Sequence, residues 1–238
     1  MEMSADLGGP MPCLLFVTIA VLIVVGIIYA FMKARQRREA LQRLAAELDL
    51  KFYADDPWDL PVRYGHMDLF GYGHSRRASN VLAGQVDGRE VVAFDYRYTT
   101  GSGKNSHTYY YHAAVFEMPI LAPRLWLRRE NVLDKIASWV GHDDLDFESA
   151  EFSRRYHVKC EQPKFAYDIF HNRLIEYLLG CGQAPAMEMN GPLLLLYESG
   201  SGRPDRVRRL IEIGREMMRS LPDYVRRERG TQAAGGKA

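Results

Sequence analysis

Gly101-Ser102-Gly103-Lys104 is the stretch of this chain nearest in pattern to a phosphate-binding loop. The P-loop pattern, G-x-x-x-x-G-K-[ST], cradles phosphates with backbone N–H groups and a lysine and holds magnesium with a hydroxyl. With Gly103-Lys104 set at its end, the leading glycine falls on Tyr98 and the hydroxyl on Asn105. A P-loop also opens a helix whose N-terminus holds the phosphates, whereas a tyrosine-rich, strand-like run follows here. The segment reads as a glycine-rich hairpin loop. The second dense cluster, HDDLDFESAE, brings together Asp143, Asp144, Asp146, Glu148 and Glu151. A calcium loop of that density needs a glycine for its sharp turn and a glutamate at the twelfth position, but Gly141 precedes the acids. Leu145 and Phe147 alternate with the acids, as in a solvated connection lying on a core.

The 7 histidines are scattered as His66, His74, His107, His112, His142, His157 and His171, with no HExxH-type pair on a helix-like segment. His107 and His112 are odd and even along one strand-like run and so face opposite sides of it. No serine lies in a G-x-S-x-G elbow. Cys160 and Cys181 make neither a CxxC pair nor a metal-type spacing, and read as reduced thiols. The residues thus assign no catalytic group, no metal and no cofactor, and the motifs weigh against an enzyme.

Recognition chemistry is better represented. Tyr96, Tyr98, Tyr109, Tyr110 and Tyr111 crowd the two sides of the polar loop TTGSGKNS. Tyrosine offers amphipathic contact area at low entropic cost, and it is equally a good strand residue that pairs across a hairpin. Loops on rigid scaffolds carry recognition, so Arg97, Lys104, Asn105 and Tyr109 are the candidate binding surface. In an enzyme or small-molecule binder, Asp95, Arg97, His107 and the acidic run would instead converge in a pocket.

The elements that must position these groups follow from periodicity. Asn80–Val86 and Glu90–Tyr98 flank Asp87-Gly88, a pair suited to a tight hairpin turn. Val92, Phe94, Tyr96 and Tyr98 alternate with Val91, Ala93, Asp95 and Arg97, the pattern of a half-buried antiparallel strand. HTYYYHAAVFEM and Arg124–Arg129 read as further strands, Val132–Val140 as a short helix and Phe152–Cys160 as another strand. Pro163 opens a helix striped with Ala166, Ile169, Phe170, Leu174, Tyr177 and Leu178 and closed by Gly180. Asn190-Gly191 predicts a hairpin between PAMEM and LLLLYES. Pro204 starts a last helix, with Val207, Leu210, Ile211, Gly214, Met217, Met218 and Leu221 on one face, which Pro222 ends. Strands bunched with hairpins and then helices mean α+β, a mainly antiparallel sheet packed by two or three helices.

Cys13 to Met32 is a run of twenty residues without a charge. At about 1.5 Å per residue it spans roughly 30 Å, the thickness of a bilayer's hydrocarbon core. Glu2 and Asp6 precede it with no Lys or Arg, and Lys33, Arg35, Arg37 and Arg38 follow it. Cationic flanks stay cytoplasmic, so the short N-terminus is expected outside and the bulk of the chain inside. A cleaved signal peptide would need a basic n-region and an A-x-A-like site, both missing. Gly26 is the single glycine in the span, so no G-x-x-x-G face exists for helix pairing. Past the span lie all 31 basic residues and 28 of the 30 acidic ones, a net of +3 (31 − 28). That balance argues against a nucleic-acid partner, and the four juxtamembrane cations suit an orientation signal touching anionic headgroups. Leu41, Leu44, Ala45 and Leu48 stripe a helix beyond the anchor, and Asp55-Asp56-Pro57 and Leu60-Pro61 break it.

GHSRRASNVLAG, FDYRYTTGSGKNSHTYYY and DLDFESAEFSRRY resemble segments of a group of bacterial membrane-anchored proteins of unknown function. The similar segments cover roughly residues 65 to 200, and the hairpin around FDYRYTTGSGKNS is the most specific. The resemblance implies a membrane helix followed by an α+β domain at a bacterial plasma membrane. It carries no activity, cofactor or site residue.

The expected organisation is therefore an extracytoplasmic N-terminus over 1–12, a transmembrane helix over 13–32, and a juxtamembrane amphipathic helix over 33–52. A cytosolic α+β domain over 53–230 and a tail over 231–238 follow. The function read from it is a single-pass membrane protein whose domain binds or adapts, with the lipid bilayer and another membrane or cytosolic protein as partners. The alternative is an enzyme or small-molecule binder at the inner membrane face.

Overall fold

The computed structural model describes residues 11–129 and 144–230. The chain divides into two compact units between Ala40 and Leu41. The first contains most of helix α1, Met11–Glu47. Its apolar side chains, among them Phe16, Leu22, Ile27 and Phe31, are exposed. An 18-residue window here has a mean hydropathy of 2.4 with 0% of it buried, so this helix is long and apolar enough to cross a membrane. Arg35 Nε donates to Glu39 Oε1 at 2.9 Å one turn away, a solvated pair of the kind that supports an exposed helix.

The second unit is an α+β domain whose described residues form a 6-stranded sheet with every pairing antiparallel. Its strands are β1 Lys51–Asp55, β2 His74–Val86, β3 Arg89–Thr100, β4 His107–Arg129, β5 Tyr156–Cys160 and β6 Ala186–Ser199. They run in the order β1-β2-β3-β4-β5, and β6 also pairs with β4. Residues 111–116 of β4 face both β3 and β6, and residues 125–127 face both β5 and β6. The helices are α2 Leu60–Arg63, α3 Asp68–Gly71, α4 Ala150–Arg155, α5 Pro163–Ile169, α6 Asn172–Gly180, α7 Pro204–Arg219 and α8 Asp223–Arg229.

Both sheet faces are buried. On one, Val91, Ala93, Ala114, Phe116, Leu125, Val158, Met187 and Leu196 pack with Leu41 and Leu44 of α1 and with the apolar sides of α5, α6, α7 and α8. On the other, Val92, Phe94, Tyr96, Tyr98, Ala113, Val115 and Leu195 pack with Leu60, Tyr64, Met67, Leu69 and Phe70. Strand β3 is thus buried on both faces along Val91–Phe94, and only toward Arg97 does one face open to solvent. The alternation reads as half-buried because Val91 and Ala93 are small and lie beside the polar Asp95 and Arg97.

Several local expectations change. The two predicted strands around residues 107–118 and 124–129 are one strand of 23 residues, with register shifts between Glu117 and Leu125 where Pro119 and Pro123 interrupt the ladder. Asn190-Gly191 is no hairpin. Both flanking runs find the same partner, β4, so Gly191 (φ +57°) sits opposite Ala122 as an irregularity inside β6. Residues 150–155 form a helix rather than strand, because the Ser149 Oγ caps it by accepting from the Phe152 N–H at 3.3 Å. The helix expected from Pro163 to Gly180 is two. His171 breaks it in an extended conformation and caps α6, its Nδ1 accepting from the Leu174 N–H at 3.4 Å while Nε2 contacts the Ser220 carbonyl at 3.0 Å. Helix α8, unforeseen, follows Pro222. The helix expected at Val132–Val140 lies outside the described residues.

The α2–α3 segment is pinned to its sheet face by polar groups. The Asp68 N–H donates to Glu188 Oε2 at 2.9 Å, while Arg124 Nη2 (3.1 Å) and Asn190 Nδ2 (3.4 Å) donate to the His66 carbonyl. Arg128, buried on β4, lies 4.0 Å from the Asp68 carboxylate. Glu188 is 1% exposed. Burial pushes its carboxyl up to about 8; Asp68's charge adds to this, and the Asp68 N–H, Arg124 and Arg128 oppose it. An unfolded glutamate titrates near 4.3, so between these values the folded chain holds the extra proton and stability falls as pH rises. Glu188→Gln keeps an acceptor for the Asp68 N–H and has no charge to bury. Its thermal midpoint is expected to match the parent near pH 4.5 and to exceed it at about pH 9. Equal midpoints at the higher pH would show that the carboxylate is solvated after all.

Candidate functional site

The site is assembled where the β6–α7 connection folds back over the sheet. Asp95, His112 and Glu198 stand opposite one another on β3, β4 and β6, in one row across three strands. Asp95 Oδ1 accepts from the Gly202 N–H at 3.0 Å, and its Oδ2 accepts from Asn80 Nδ2 at 2.8 Å. The Gly200 N–H donates to the Tyr110 carbonyl at 2.7 Å, and the Gly200 carbonyl lies 3.1 Å from His112 Nδ1. A Cβ on Gly202 would fall 2.9 Å from the His112 Cβ and 2.8 Å from Val207, so only glycine lets the chain cross here. This closure sets where α7 begins, and with it the direction of its arginines.

His112 is fully buried, and its Nε2 lies 3.2 Å from Glu198 Oε2. Its Nδ1 faces the Gly200 carbonyl and its Nε2 faces the Glu198 carboxylate. Burial raises the Glu198 carboxyl, but His112, Arg209 and Arg206 outweigh it and hold the group below the ordinary range. A histidine so enclosed offers no atom to a substrate. It is a structural member of the row.

At the end of the row, along β6, lies a cleft of about 470 Å³ lined by Tyr109, Tyr111, Tyr197, Arg129, Arg206 and Arg209 around the single carboxylate of Glu198, with residues 183–186 as its rim. Arg209 Nη1 donates to Glu198 Oε1 at 3.4 Å, and Nη2 donates to the Cys181 carbonyl at 3.1 Å and to the Gln183 carbonyl. Arg129 Nη1 donates to Gln183 Oε1 at 2.8 Å, and the Ala184 N–H donates to the Tyr156 hydroxyl at 2.9 Å. The rim is therefore tied down from three sides. Arg206 differs: it is exposed and makes no hydrogen bond or close ion pair among the described residues, acting on Glu198 and Asp205 only through its charge. The opposite wall is aromatic. Tyr98 stacks on Tyr109 at 5.2 Å and on Tyr111 at 5.8 Å, and Tyr111 meets Tyr197 edge-on at 5.8 Å. One free cation, two fixed ones and a tyrosine wall suit a partner that brings an anionic group and polar or planar surface.

Of the residues expected to form a binding surface, Tyr109 lines this cleft and is 42% exposed. Arg97 pairs across strands with Arg77 and Tyr110, whereas Tyr109 pairs with Tyr98, so Arg97 and Tyr109 occupy opposite sheet faces. Lys104 and Asn105 lie exposed in a 3-10 turn, Gly103–Asn105, at the β3–β4 loop. Asp95 and Arg97 share a face but not a role: Asp95 anchors the Gly202 loop while Arg97 is exposed. His107 is exposed at the far end of the same ladder, opposite Thr100. In the acidic run, Asp144 lies 2.9 Å from His157 Nδ1 and 3.8 Å from Lys159 Nζ, a surface cluster. Sequence reasoning missed His112, Glu198, Arg206 and Arg209. The glycines of Gly200-Ser201-Gly202 before Pro204 are the local signal of a tight crossing.

No protein-family model matches the chain, and no curated protein is similar to it in sequence. Among solved structures, the mycobacterial trehalose monomycolate transport factor A, TtfA, superposes with a TM-score of 0.57 at 14% identity. The match covers 79% of this chain and 97% of that one. The two share the α+β fold.

The two α7 arginines are expected to separate on substitution. Arg209→Ala removes the donor to two carbonyls and a partner of Glu198, and should cost about 1–3 kcal/mol in chemical unfolding. Arg206→Ala removes only a charge acting at a distance on Glu198 and should shift the unfolding midpoint far less. Equal destabilisation by both would mean that Arg206 is structural and not a free ligand for a partner.

Proposed function

We propose that the chain is a single-pass protein of the bacterial plasma membrane, N-terminus outside and domain in the cytoplasm, whose α+β domain is a binding module. Its partner is another membrane or cytosolic protein that presents an acidic segment to the cleft beside β6. The observation that carries this reading is the arrangement of that cleft, where Arg129 and Arg209 are held by the rim and Arg206 makes no hydrogen bond or close ion pair among the described residues. Donors already fixed in place lose little entropy on binding. The apolar run of α1 and the cations that follow it support the anchor and its orientation. A fold shared with a protein described as a transport factor fits an accessory of membrane traffic. In this reading Lys104 and Asn105 contribute from the loop at the end of the hairpin that carries Tyr109, and Arg97 addresses a separate face.

Orientation is tested by C-terminal fusions in bacterial cells. Green fluorescent protein should fluoresce and alkaline phosphatase should be inactive; the reverse pattern would place the domain outside. The binding role is tested by in-cell crosslinking and affinity purification from solubilised membranes. A partner should be recovered in near-stoichiometric amount, and Tyr109→Ala combined with Arg206→Glu should reduce its recovery by about tenfold or more. Lys104→Ala with Asn105→Ala should weaken it as well. Recovery unchanged by the cleft variant would remove the cleft from the argument.

A further inference from the structure

A second cationic basin lies apart from the cleft, where the β2–β3 hairpin meets α7 and α8. A depression of about 190 Å³ is lined by Asp87, Arg89, Arg215, Arg219 and Arg226, over an apolar floor of Val86, Phe116 and Met218. Four guanidiniums around one carboxylate give its lining a formal charge of +3 (4 − 1).

The lone carboxylate acts as a positioning group for the cations. Asp87 occupies the hairpin turn with Gly88, both at positive φ. Arg215 grips it with two bonds, Nε to Oδ2 at 3.2 Å and Nη2 to Oδ1 at 3.0 Å, and Arg219 Nη2 adds a third to Oδ2 at 2.9 Å. The hydrogen bond from Arg215 chiefly holds the Asp87 carboxyl below its ordinary range. Arg226 is fixed from the other side, Nη2 donating to the Met218 carbonyl at 2.7 Å and Nε to the Leu221 carbonyl at 3.1 Å. A guanidinium has five N–H donors in a rigid fork. Among the described residues, the Nη1 groups of Arg215, Arg219 and Arg226 and the whole Arg89 guanidinium have no hydrogen-bond partner. Glu212, one turn from Arg215, contributes an opposing field but no bond to the basin.

Several forks held in place with donors unengaged match a ligand that has several oxygens on one centre. The apolar floor adds room for the carbons next to that centre. We infer that the Arg89–Arg215–Arg219–Arg226 basin binds a phosphate group, as a monoester or a diester. Asp87 holds two of the forks and the phosphate completes the others. A phospholipid headgroup and a soluble phosphate share this chemistry.

The test uses the full chain in a non-ionic detergent. It is titrated calorimetrically with inorganic phosphate and, separately, with dihexanoyl phosphatidylglycerol, at constant ionic strength. Both probes are expected to bind the parent, and the double variant Arg89→Ala with Arg219→Gln should weaken binding by about tenfold or more. Preference for the lipid marks a headgroup site, and preference for inorganic phosphate marks a soluble ligand. Arg154→Ala, an exposed cation of α4 that lines neither basin, should bind the probes as the parent does. If the double variant does not fold, Arg89→Ala alone decides the matter, since that side chain has no hydrogen bond to lose among the described residues. Absence of binding by the parent, or equal affinity in the variant, would overturn the assignment.

Discussion

Strand β4 is the constraint on which the domain depends. A strand of 23 residues, paired on one edge with β3 and then β5 and on the other with β6, leaves its neighbours no choice of register. A slip by one residue would turn every side chain to the wrong face, and here both faces are buried. Leu125, Ala114 and Phe116 must look toward α5–α8, while Ala113 and Val115 look toward α2 and α3. The position of β6, the closure of its loop over His112 and the entry of α7 all follow from that ladder. The cleft is therefore a by-product of strand pairing, even though its chemistry comes from a helix.

Two carboxylates on β6 show how environment divides one residue type into different roles. Glu198 sits beside an imidazole and a guanidinium and stays ionised below the usual range. Glu188 sits among apolar groups, near the carboxylate of Asp68, and is driven toward its neutral form. Each closes a different layer of the domain onto the sheet: Glu198 contacts α7, and Glu188 holds α3. Asp87 plays a third part, exposed at a turn and gripped by α7 from outside. Charged side chains thus join the layers at three separate places, while the apolar clusters supply the bulk of the burial.

What could be read from the sequence was what local chemistry decides. The Asp87-Gly88 turn, the alternation of β3 and the stripes of α5–α6 and α7 are short-range signals, and they located most of the α+β elements. Strand β1, only 5 residues long, was hidden because a segment so short has no period of its own. Asn190-Gly191 misled because a turn-forming pair says nothing of whether its two flanks pair with each other or with a third strand. The site was least legible. His112 and Glu198 are 86 residues apart in sequence (198 − 112), and only the β4–β6 register brings them to 3.2 Å. The tyrosines beside the cleft stand out in the sequence because aromatic crowding is visible locally, whereas Arg206 and Arg209 are two among many arginines of a basic helix.

The irregularity at Gly191 divides β6 into two phases. Before it, odd-numbered Met187 and Met189 face the larger core; after it, even-numbered Leu194 and Leu196 do. Loss of that one residue would leave Met189 and Leu194 four positions apart, so the alternation would run unbroken and both halves would keep their faces, but the step that answers the register shifts of β4 would be gone. The same loss anywhere else along the strand would turn one half over, driving Glu188 or its neighbours to the wrong layer. Strand length is thus free to change by one at a single place.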